Sequence, residues 1–378
     1  MIEKISKQTP IAVVLSGGVD SSLALQLLLE AGFTHVTAFY IKIWLEDELA
    51  FLGDCPWEVD IEYARKVCDQ LGVPLEIVPL QREYYDRVVR YALRELKAGR
   101  TPSPDIFCNE QIKFGAFLEK IDSQYQKVAS GHYARIEYRK GRYWLKRAPD
   151  PVKDQTYFLS YLTQEQLSRI LFPVGEYTKK EVRQLAEKFN LPTKDRPDSQ
   201  GICFLGKIKY ADFVKAHFGE RPGDIVEMES GRKLGTHRGF WFYTIGQRHG
   251  LGLSNGPWYV VGKNARENII YVSHRQHILI YYRRHIVVED VNWISGLPDK
   301  KNVQVKLRHG PGMQSATIEL LDDNRVMVHL AAGDKGAAPG QFTIFYDGEY
   351  CLGGGKIAEF ADAPTAVLLN ENEVNSHE

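Results

Sequence analysis

Cysteine is scarce in this chain: five residues in 378, at positions 55, 68, 108, 203 and 351, with no pair at metal-ligand spacing. So sparse and odd a set excludes a disulfide-stapled scaffold and a zinc ribbon, and predicts reduced thiols whose only disulfide is transient and catalytic. Long apolar runs are also missing, and the opening MIEKISKQTP lacks the apolar core of a signal peptide. The expectation is a soluble, cytoplasmic protein with no membrane partner. Net charge is absent as well, because 48 Lys and Arg balance 48 Asp and Glu. A polyanionic partner would have to be met by local clusters of cations rather than by bulk attraction. No tandem repeat or low-complexity tract interrupts the chain, and its length predicts two or three domains.

What is present begins with IAVVLSGGVDSSLALQLLLEAG, Ile11 to Gly32. It reads as a strand buried on both faces, an abrupt Ser16-Gly17-Gly18 turn, and a helix stopped by Gly32. Strand-like HVTAFYIKIW, LEIVP and QKVAS then alternate with helical stretches over Glu58 to Leu71, REYYDRVVRYALRELKAG and Asn109 to Ile121. Such alternation predicts the α/β class, a doubly wound parallel sheet whose ligands collect at the carboxyl ends of the strands, near Ser16, Trp44, Cys108 and Gly131. From Gly206 the sequence turns rich in Gly and aromatics, as expected of a small central domain. Beyond Pro257 the short runs WYVVG, NIIYVS, VQVKLRH, SATIELL, RVMVHLA and QFTIFYD predict a C-terminal antiparallel β-barrel. The expected domains are 1–205, 206–270 and 271–378.

The glycine turn aims backbone N–H groups and a helix dipole at one spot, where an anion belongs. No Gly-Lys-Ser/Thr follows, so it is not a Walker loop, and it lacks the Gly-x-Gly-x-x-Gly of a dinucleotide loop. Without the Walker lysine nothing is offered to a transferred γ-phosphoryl group. A cradle of N–H groups and the hydroxyls of Ser16, Ser21 and Ser22 suits pyrophosphate, the group that departs when ATP donates AMP. The plainer alternative is a tight turn whose glycines only permit positive φ. For Asp20 three readings stay open: orienting the loop, holding Mg²⁺, or capping the helix.

Two cysteine neighbourhoods stand out. In TPSPDIFCNEQIKFG, Asp105 precedes Cys108 in a Pro-restricted loop, and a helix starting at Asn109 would favour the Cys108 thiolate through its dipole. In RPDSQGICFLG, Cys203 sits between Ile202 and Phe204, neighbours that by themselves describe an inert buried thiol.

SGGVDSS, Ser16 to Ser22, resembles the SGGxDS signature of the PP-loop, or N-type, ATP pyrophosphatases. In chain order, LSGGVDSS, SPDIFCNEQIKF, SGHYAR, KDQTYFL, DSQGICFLG, GDIV, YTIGQRHGLG and PGQFTIFYDGEYCLGGG together resemble the tRNA-specific 2-thiouridylases. The resemblance implies ATP and Mg²⁺ as cofactors, tRNA held by its anticodon arm, a sulfur-donor protein as partner, and sulfur placed on the 2-carbon of the wobble uridine. It also implies that Cys203 bears a persulfide that attacks directly or releases hydrosulfide, that Cys108 resolves the sulfur bridge through a Cys108–Cys203 disulfide, and that Asp105 is the acid or base. Leu15, Ser16, Gly17, Gly18, Val19, Asp20, Ser21, Ser22, Ile41 and Gly131 would line the ATP site. Ser103, Pro104 and Asp105 would meet the target base, and Lys153, Asp154, Gln155, Arg308 and His309 the tRNA. Leu15 and Ile41 stand where the family commonly has Met, and His309 where it has Tyr. The implied chemistry is coherent, because adenylation turns a poor leaving oxygen into AMP, and a persulfide carries the spare sulfur that a thiol lacks.

For RNA contact, YARIEYRKGRYWLKR sets Arg135, Arg139, Lys140, Arg142, Lys146 and Arg147 against one acid, Glu137. A hairpin turning at Lys140-Gly141 would put alternate members on one phosphate-facing side; a solvated ribbon is the plain alternative. YYRRH, Tyr281 to His285, is a second patch. Two competing functions remain. One is another PP-loop adenylating enzyme without a cysteine pair, such as a lysidine-type tRNA ligase or an amidotransferase-type synthetase. The other is an inert RNA-binding protein on a nucleotide fold.

Overall fold

The structure, a computed structural model, describes residues 5–44, 57–121, 123–198, 209–322 and 324–361. Cys55 and Cys203 lie outside them. Strand β1 (Ile11–Val14) is buried at every residue, as its β-branched run requires of a central parallel strand. Around it lie β2 (Val36–Lys42), β3 (Leu75–Pro79), β4 (Lys127–Ser130) and, after the hairpin β5 (Ala134–Arg139)–β6 (Arg142–Arg147), the short β7 (Ile170–Leu171). The sheet is wholly parallel in the order β3-β2-β1-β4-β7. The chain runs outward from β1 to β3 and then returns to β4 on the other side of β1, so the strand order reverses beside β1. That reversal is where open α/β sheets bind ligands. The register pairs Val14 with Phe39 on one side and Ser130 on the other, so the segments after β1 and β4 emerge side by side.

The helix α1 (Val19–Glu30) buries Leu23, Leu25 and Leu28 and ends ahead of Gly32, whose φ of +85° gives the left-handed stop. The helix Trp57–Leu71 ends the same way at Gly72. No helix among the described residues is long and apolar enough to cross a membrane.

The central unit holds the helix Tyr210–Phe218 and a sheet of β8 (Gly223–Glu227), β9 (Lys233–His237), β10 (Trp258–Asn264) and β11 (Ile269–His274), ordered β10-β11-β8-β9. This corrects the expectation that WYVVG and NIIYVS belong to the barrel: both pair within the central sheet, which runs through His274, past the division expected at 270/271. The barrel itself comprises β12 (Arg283–Trp293), β13 (Asn302–Lys306), β14 (Gln314–Leu320), β15 (Val326–Asp334), β16 (Phe342–Asp347) and β17 (Tyr350–Phe360), closed by pairing of β12 with β17.

The hairpin β5–β6 turns at Lys140 and Gly141, both at positive φ as a tight two-residue hairpin turn demands. Its β6 adds to β17 through Leu145 and Lys146, extending the barrel sheet into the first domain. One hydrophobic core accordingly contains Ala12 and Val14 of β1, Ile106 and Cys108, and Phe342 and Cys351 of the barrel.

Candidate active site

After β1, Leu15 continues the sheet by donating its N–H to the Phe39 carbonyl, and the backbone then turns at Gly17 with φ +72°. A Cβ at Gly17 would lie 2.2 Å from the Asp60 carbonyl oxygen, so only glycine lets the loop pass under the helix Trp57–Leu71. Gly18 is the N-cap of α1 without a side-chain cap, and the first amide bonded within the helix is Ser22 N to Gly18 O at 3.2 Å. The amides of Val19, Asp20 and Ser21 therefore open from the helix N-terminus, an arrangement suited to phosphate.

The serines divide their work. Ser21 accepts from Ser16 N and donates to Gly18 O, and Ser22 donates to the same oxygen at 2.8 Å. Both are buried, so they shape the loop from within, while Ser16 stays exposed. Gly131 follows β4; a Cβ there would sit 2.5 Å from Ser21 N, placing Gly131 hard against the start of α1. Leu15 is fully enclosed in the core and Ile41 is half-buried, so of these two apolar positions only Ile41 offers side-chain surface to a ligand.

Asp20 does not cap α1, which settles one of its three readings. Its Oδ1 accepts from the Tyr133 hydroxyl at 2.7 Å, and its carboxylate is gripped by Lys179 Nζ at 2.7 and 2.9 Å. Burial and the Asp20 carboxylate push the Tyr133 phenol far up, keeping it a donor. A cation at Asp20 would have to displace the Lys179 ammonium, so the donor set does not fit Mg²⁺. Lys179 also pairs with Asp198 at 2.8 Å, and Asp198 takes Arg183 at 2.6 Å and Lys153 at 2.5 Å. Burial raises the Asp198 carboxyl, but Lys153 and Lys179 outweigh it and hold the group well below the usual carboxylate range. Nearby, Arg196 donates to the Gly17 carbonyl at 2.6 Å and to Asp60 at 2.7 Å. Sequence reasoning missed Lys179, Arg196 and Asp198. The last two lie in the quoted RPDSQGICFLG, where their charge was the available signal.

The Cys108 region is helical from Pro104, not from Asn109: Pro104–Phe107 leads into a π-helical stretch Cys108–Ala116 and a last turn Phe117–Lys120. Pro at the first position explains the earlier start. Cys108 therefore lies one turn inside, only 2% exposed, with Asp105 half-buried in the first turn. π-helical turns inside α-helices are frequent at functional sites. Asn109 donates to the Asp105 carbonyl at 3.0 Å and to the Phe158 carbonyl at 3.3 Å. Ser103 N reaches the Tyr91 hydroxyl, and Thr101 N donates to Pro339 O of the barrel at 2.8 Å. Phe107 packs edge-on against Phe342. Cys203 lies outside the described residues, as does any meeting of it with Cys108. Cys68 and Cys351 are buried, their thiols pushed up to about 11 and about 12, Cys68 by burial and the Asp69 carboxylate, Cys351 first by burial. Both are protonated at neutral pH and poor nucleophiles.

The segments 153–155 and 308–309 converge. The His309 ring stacks on Phe158 at 4.7 Å, and burial holds it below the usual histidine range. Lys153 is tied to Asp198, while Gln155 accepts from Tyr133 N at 2.9 Å. Asp154 is enclosed: it accepts from Arg147 at 3.1 Å, Lys306 at 3.2 Å and Thr156 at 2.9 Å. Its carboxylate joins the barrel to the first domain and has no exposed surface to give to RNA. Arg308 is half exposed and pairs with Asp334.

Five of the six cations of the basic hairpin are engaged by other groups of the protein, while Lys140 at its turn is exposed. Arg135 and Lys146 are both bound to Glu349, Lys146 also to Glu137, Arg142 to the Ser295 carbonyl and Arg147 to Asp154, while Arg139 lies over the rings of Trp144 and Tyr350. Through Glu349, the Ser295 carbonyl and Tyr350 they tie the hairpin to the barrel.

Residues 9–207 match the family described as the tRNA methyl transferase HUP domain, 211–274 the tRNA methyl transferase PRC-barrel domain, and 283–357 the Aminomethyltransferase beta-barrel domain. The tRNA-specific 2-thiouridylase MnmA of Parabacteroides distasonis is 45% identical over 358 residues, covering 92% of this chain and 99% of that protein. The chain belongs to the tRNA-specific 2-thiouridylase family. Further 2-thiouridylases similar to it are MnmA 1 of Bacteroides thetaiotaomicron, 44% identical over 354 residues, and MnmA of Porphyromonas gingivalis, 42% identical over 362, each matched over 92% of this chain and 99% of its own length. The 2-thiouridylase match thus spans the glycine loop, the Cys108 helix and the barrel.

Proposed function

We propose that the protein is an ATP-dependent tRNA-uridine 2-sulfurtransferase acting on the wobble position. The observation that carries this reading is the open helix N-terminus at the switch point beside Gly131, together with the helix that carries Asp105 and Cys108 and packs Cys108 into the core that also holds Val14 of β1. The loop amides bind the phosphates of ATP, with Mg²⁺ entering on the triphosphate rather than through Asp20. The uracil 2-oxygen attacks the α-phosphorus, pyrophosphate leaves, and the oxygen becomes part of an AMP leaving group. The terminal sulfur of a Cys203 persulfide then attacks C2, AMP departs with the oxygen, and the base is joined to Cys203 through a disulfide-type bridge. The Cys108 thiolate attacks the Cys203 sulfur, releasing the thiolated base and leaving a Cys108–Cys203 disulfide. A cellular dithiol reduces it, and a sulfur-donor protein reloads Cys203. Asp105 moves protons at the base, a role suited to its place one turn from Cys108.

Mass spectrometry of nucleosides from tRNA incubated with protein, ATP, Mg²⁺ and a persulfide donor tests the reading. 2-Thiouridine should form only when ATP is present. Pyrophosphate release accompanied by another modified nucleoside would transfer the site to a different adenylating enzyme.

Gly131→Ala should raise the KM for ATP on the order of tenfold, the equivalent of the usual overpacking cost. Its Cβ would lie 2.5 Å from Ser21 N and 2.6 Å from the Asp20 carbonyl carbon, forcing the end of β4 off α1. ATP titration of pyrophosphate release measures it.

A further inference from the structure

Three restraints converge on the side chain of Arg196. Its Nη1 donates to the Gly17 carbonyl at 2.6 Å, its Nη2 donates to Asp60 Oδ1 at 2.7 Å, and the guanidinium lies 4.4 Å from the centre of the Tyr63 ring. Asp60 and Tyr63 are three residues apart on the helix Trp57–Leu71, so one face of that helix supplies both the carboxylate and the ring. The arginine also starts from a fixed turn, because its N–H donates at 3.1 Å to the carbonyl of Thr193, a fully buried residue. A planar fork with this many partners has one orientation available to it.

What the fork holds is a peptide unit with glycine on both sides. Gly17 at φ +72° and Gly18 at φ −88° have no Cβ to resist rotation of the plane between them, so this unit can turn over at little steric cost. For an anion the two orientations are opposite in effect. A trans peptide points its C=O and N–H to opposite edges, and drawing the Gly17 carbonyl toward Arg196 sends the Gly18 N–H the other way. Turned over, the same unit would set a carbonyl oxygen beside the donors that open at the start of α1, where it would repel phosphate. The lock and the glycine share one space: a Cβ on Gly17 would lie 2.2 Å from the Asp60 carbonyl oxygen and 3.1 Å from Arg196 Nη1.

We propose that Arg196 is a positioning residue for adenylation, which fixes the Gly17–Gly18 peptide with the Gly18 N–H turned into the phosphate cradle. The inference deepens the ATP-dependent reading above and rests on it. Arg196 acts through the loop backbone, and a second contact steadies the same stretch of chain. Two residues on, Asp198 takes Lys179 at 2.8 Å, and Lys179 grips Asp20 of α1 at 2.7 Å. Residues 196–198 are thereby tied to the glycine loop at Gly17 and to the first turn of the helix behind it.

The test uses the full chain, with ATP affinity measured by calorimetry in the presence of Mg²⁺ and without tRNA. Arg196→Ala should weaken ATP binding about tenfold or more, the loss that follows when a donor to a charged group is turned away. Arg196 is partly exposed, so the variant should fold, as its melting temperature will show; Arg196→Gln, with the same expected loss, takes its place otherwise. Added guanidinium ion at tens of millimolar should recover several-fold of the lost affinity in the Arg196→Ala protein, whereas sodium chloride at equal ionic strength should not. A brace that only supports the fold would not give that recovery. Wild-type ATP affinity in either folded variant overturns the proposal, and so does a loss that guanidinium leaves unchanged. A wild-type protein that binds ATP but releases no pyrophosphate with tRNA would instead remove the adenylation reading, while the ATP affinities would still decide whether Arg196 sets the loop.

Discussion

Cys108→Ser should abolish 2-thiouridine formation, by on the order of 10⁴-fold, while tRNA-dependent pyrophosphate release persists. The two steps draw on different parts of the site. Adenylation needs the amides that open at the start of α1 and the packing of Gly131 against it, whereas Cys108 belongs to the helix that starts at Pro104. Sulfur release needs a thiolate able to attack a sulfur bridge, and a serine hydroxyl cannot do so at neutral pH. Because Cys108 is enclosed and serine is nearly isosteric, the structural cost should be confined to burying a hydroxyl, about 1–3 kcal/mol. The Cys68→Ala and Cys351→Ala proteins serve as controls, since burial already keeps those thiols protonated. Nucleoside mass spectrometry and a pyrophosphate assay on the same samples read both steps. Full product from the Cys108→Ser protein would end the two-thiol scheme.

The parts of the fold that could be read from sequence are those fixed by short-range chemistry. The run Ile11–Val14, the glycine break and the helix to Gly32 each have one comfortable local solution, and they occur as read. The same holds for the turn at Lys140-Gly141. Longer-range choices were hidden. Strand β17 contains Gly353, Gly354 and Gly355, which read locally as a breaker, yet a Cβ on Gly354 would lie 2.5 Å from Ile344 and one on Gly355 would lie 2.5 Å from Val288. Glycine is there because β17 passes close to both of its neighbours in the closed barrel. Strands β10 and β11 alternate like barrel strands, and only their partner β8 assigns them to the central sheet.

In the site, the glycine loop was legible because an amide cradle needs a particular local backbone. Charge was not. Whether Arg135 or Lys146 faces RNA depends on Glu349, more than two hundred residues away, and no spacing rule carries that information. Lys179 was invisible for the same reason. Its meaning comes from Asp20 and Asp198, brought to it by the packing of α1 against the helix Lys179–Lys188.

Asp154→Ala should destabilise the joint between the first domain and the barrel by about 3–5 kcal/mol, visible as a large loss of melting temperature and of amide protection in β13 and β16. Asp154 and Lys306 are both fully enclosed, and their ion pair at 3.2 Å is completed by Arg147 and Thr156. Removing the carboxylate strands an ammonium that cannot reach water, whereas Arg147, partly exposed, can turn outward. It follows that Lys306→Met added to Asp154→Ala should restore much of the loss, because an apolar side chain in the same space has no charge to solvate. The pair also decides between two roles for Asp154. If the carboxylate touches RNA, tRNA affinity should fall tenfold or more in both proteins, far below their melting temperatures. If it acts only as the joint, affinity at low temperature should stay within about threefold of the wild type in the stabilised double variant. The enclosed geometry favours the second result, with Lys153 beside it left as the residue of that segment able to leave Asp198 for a phosphate.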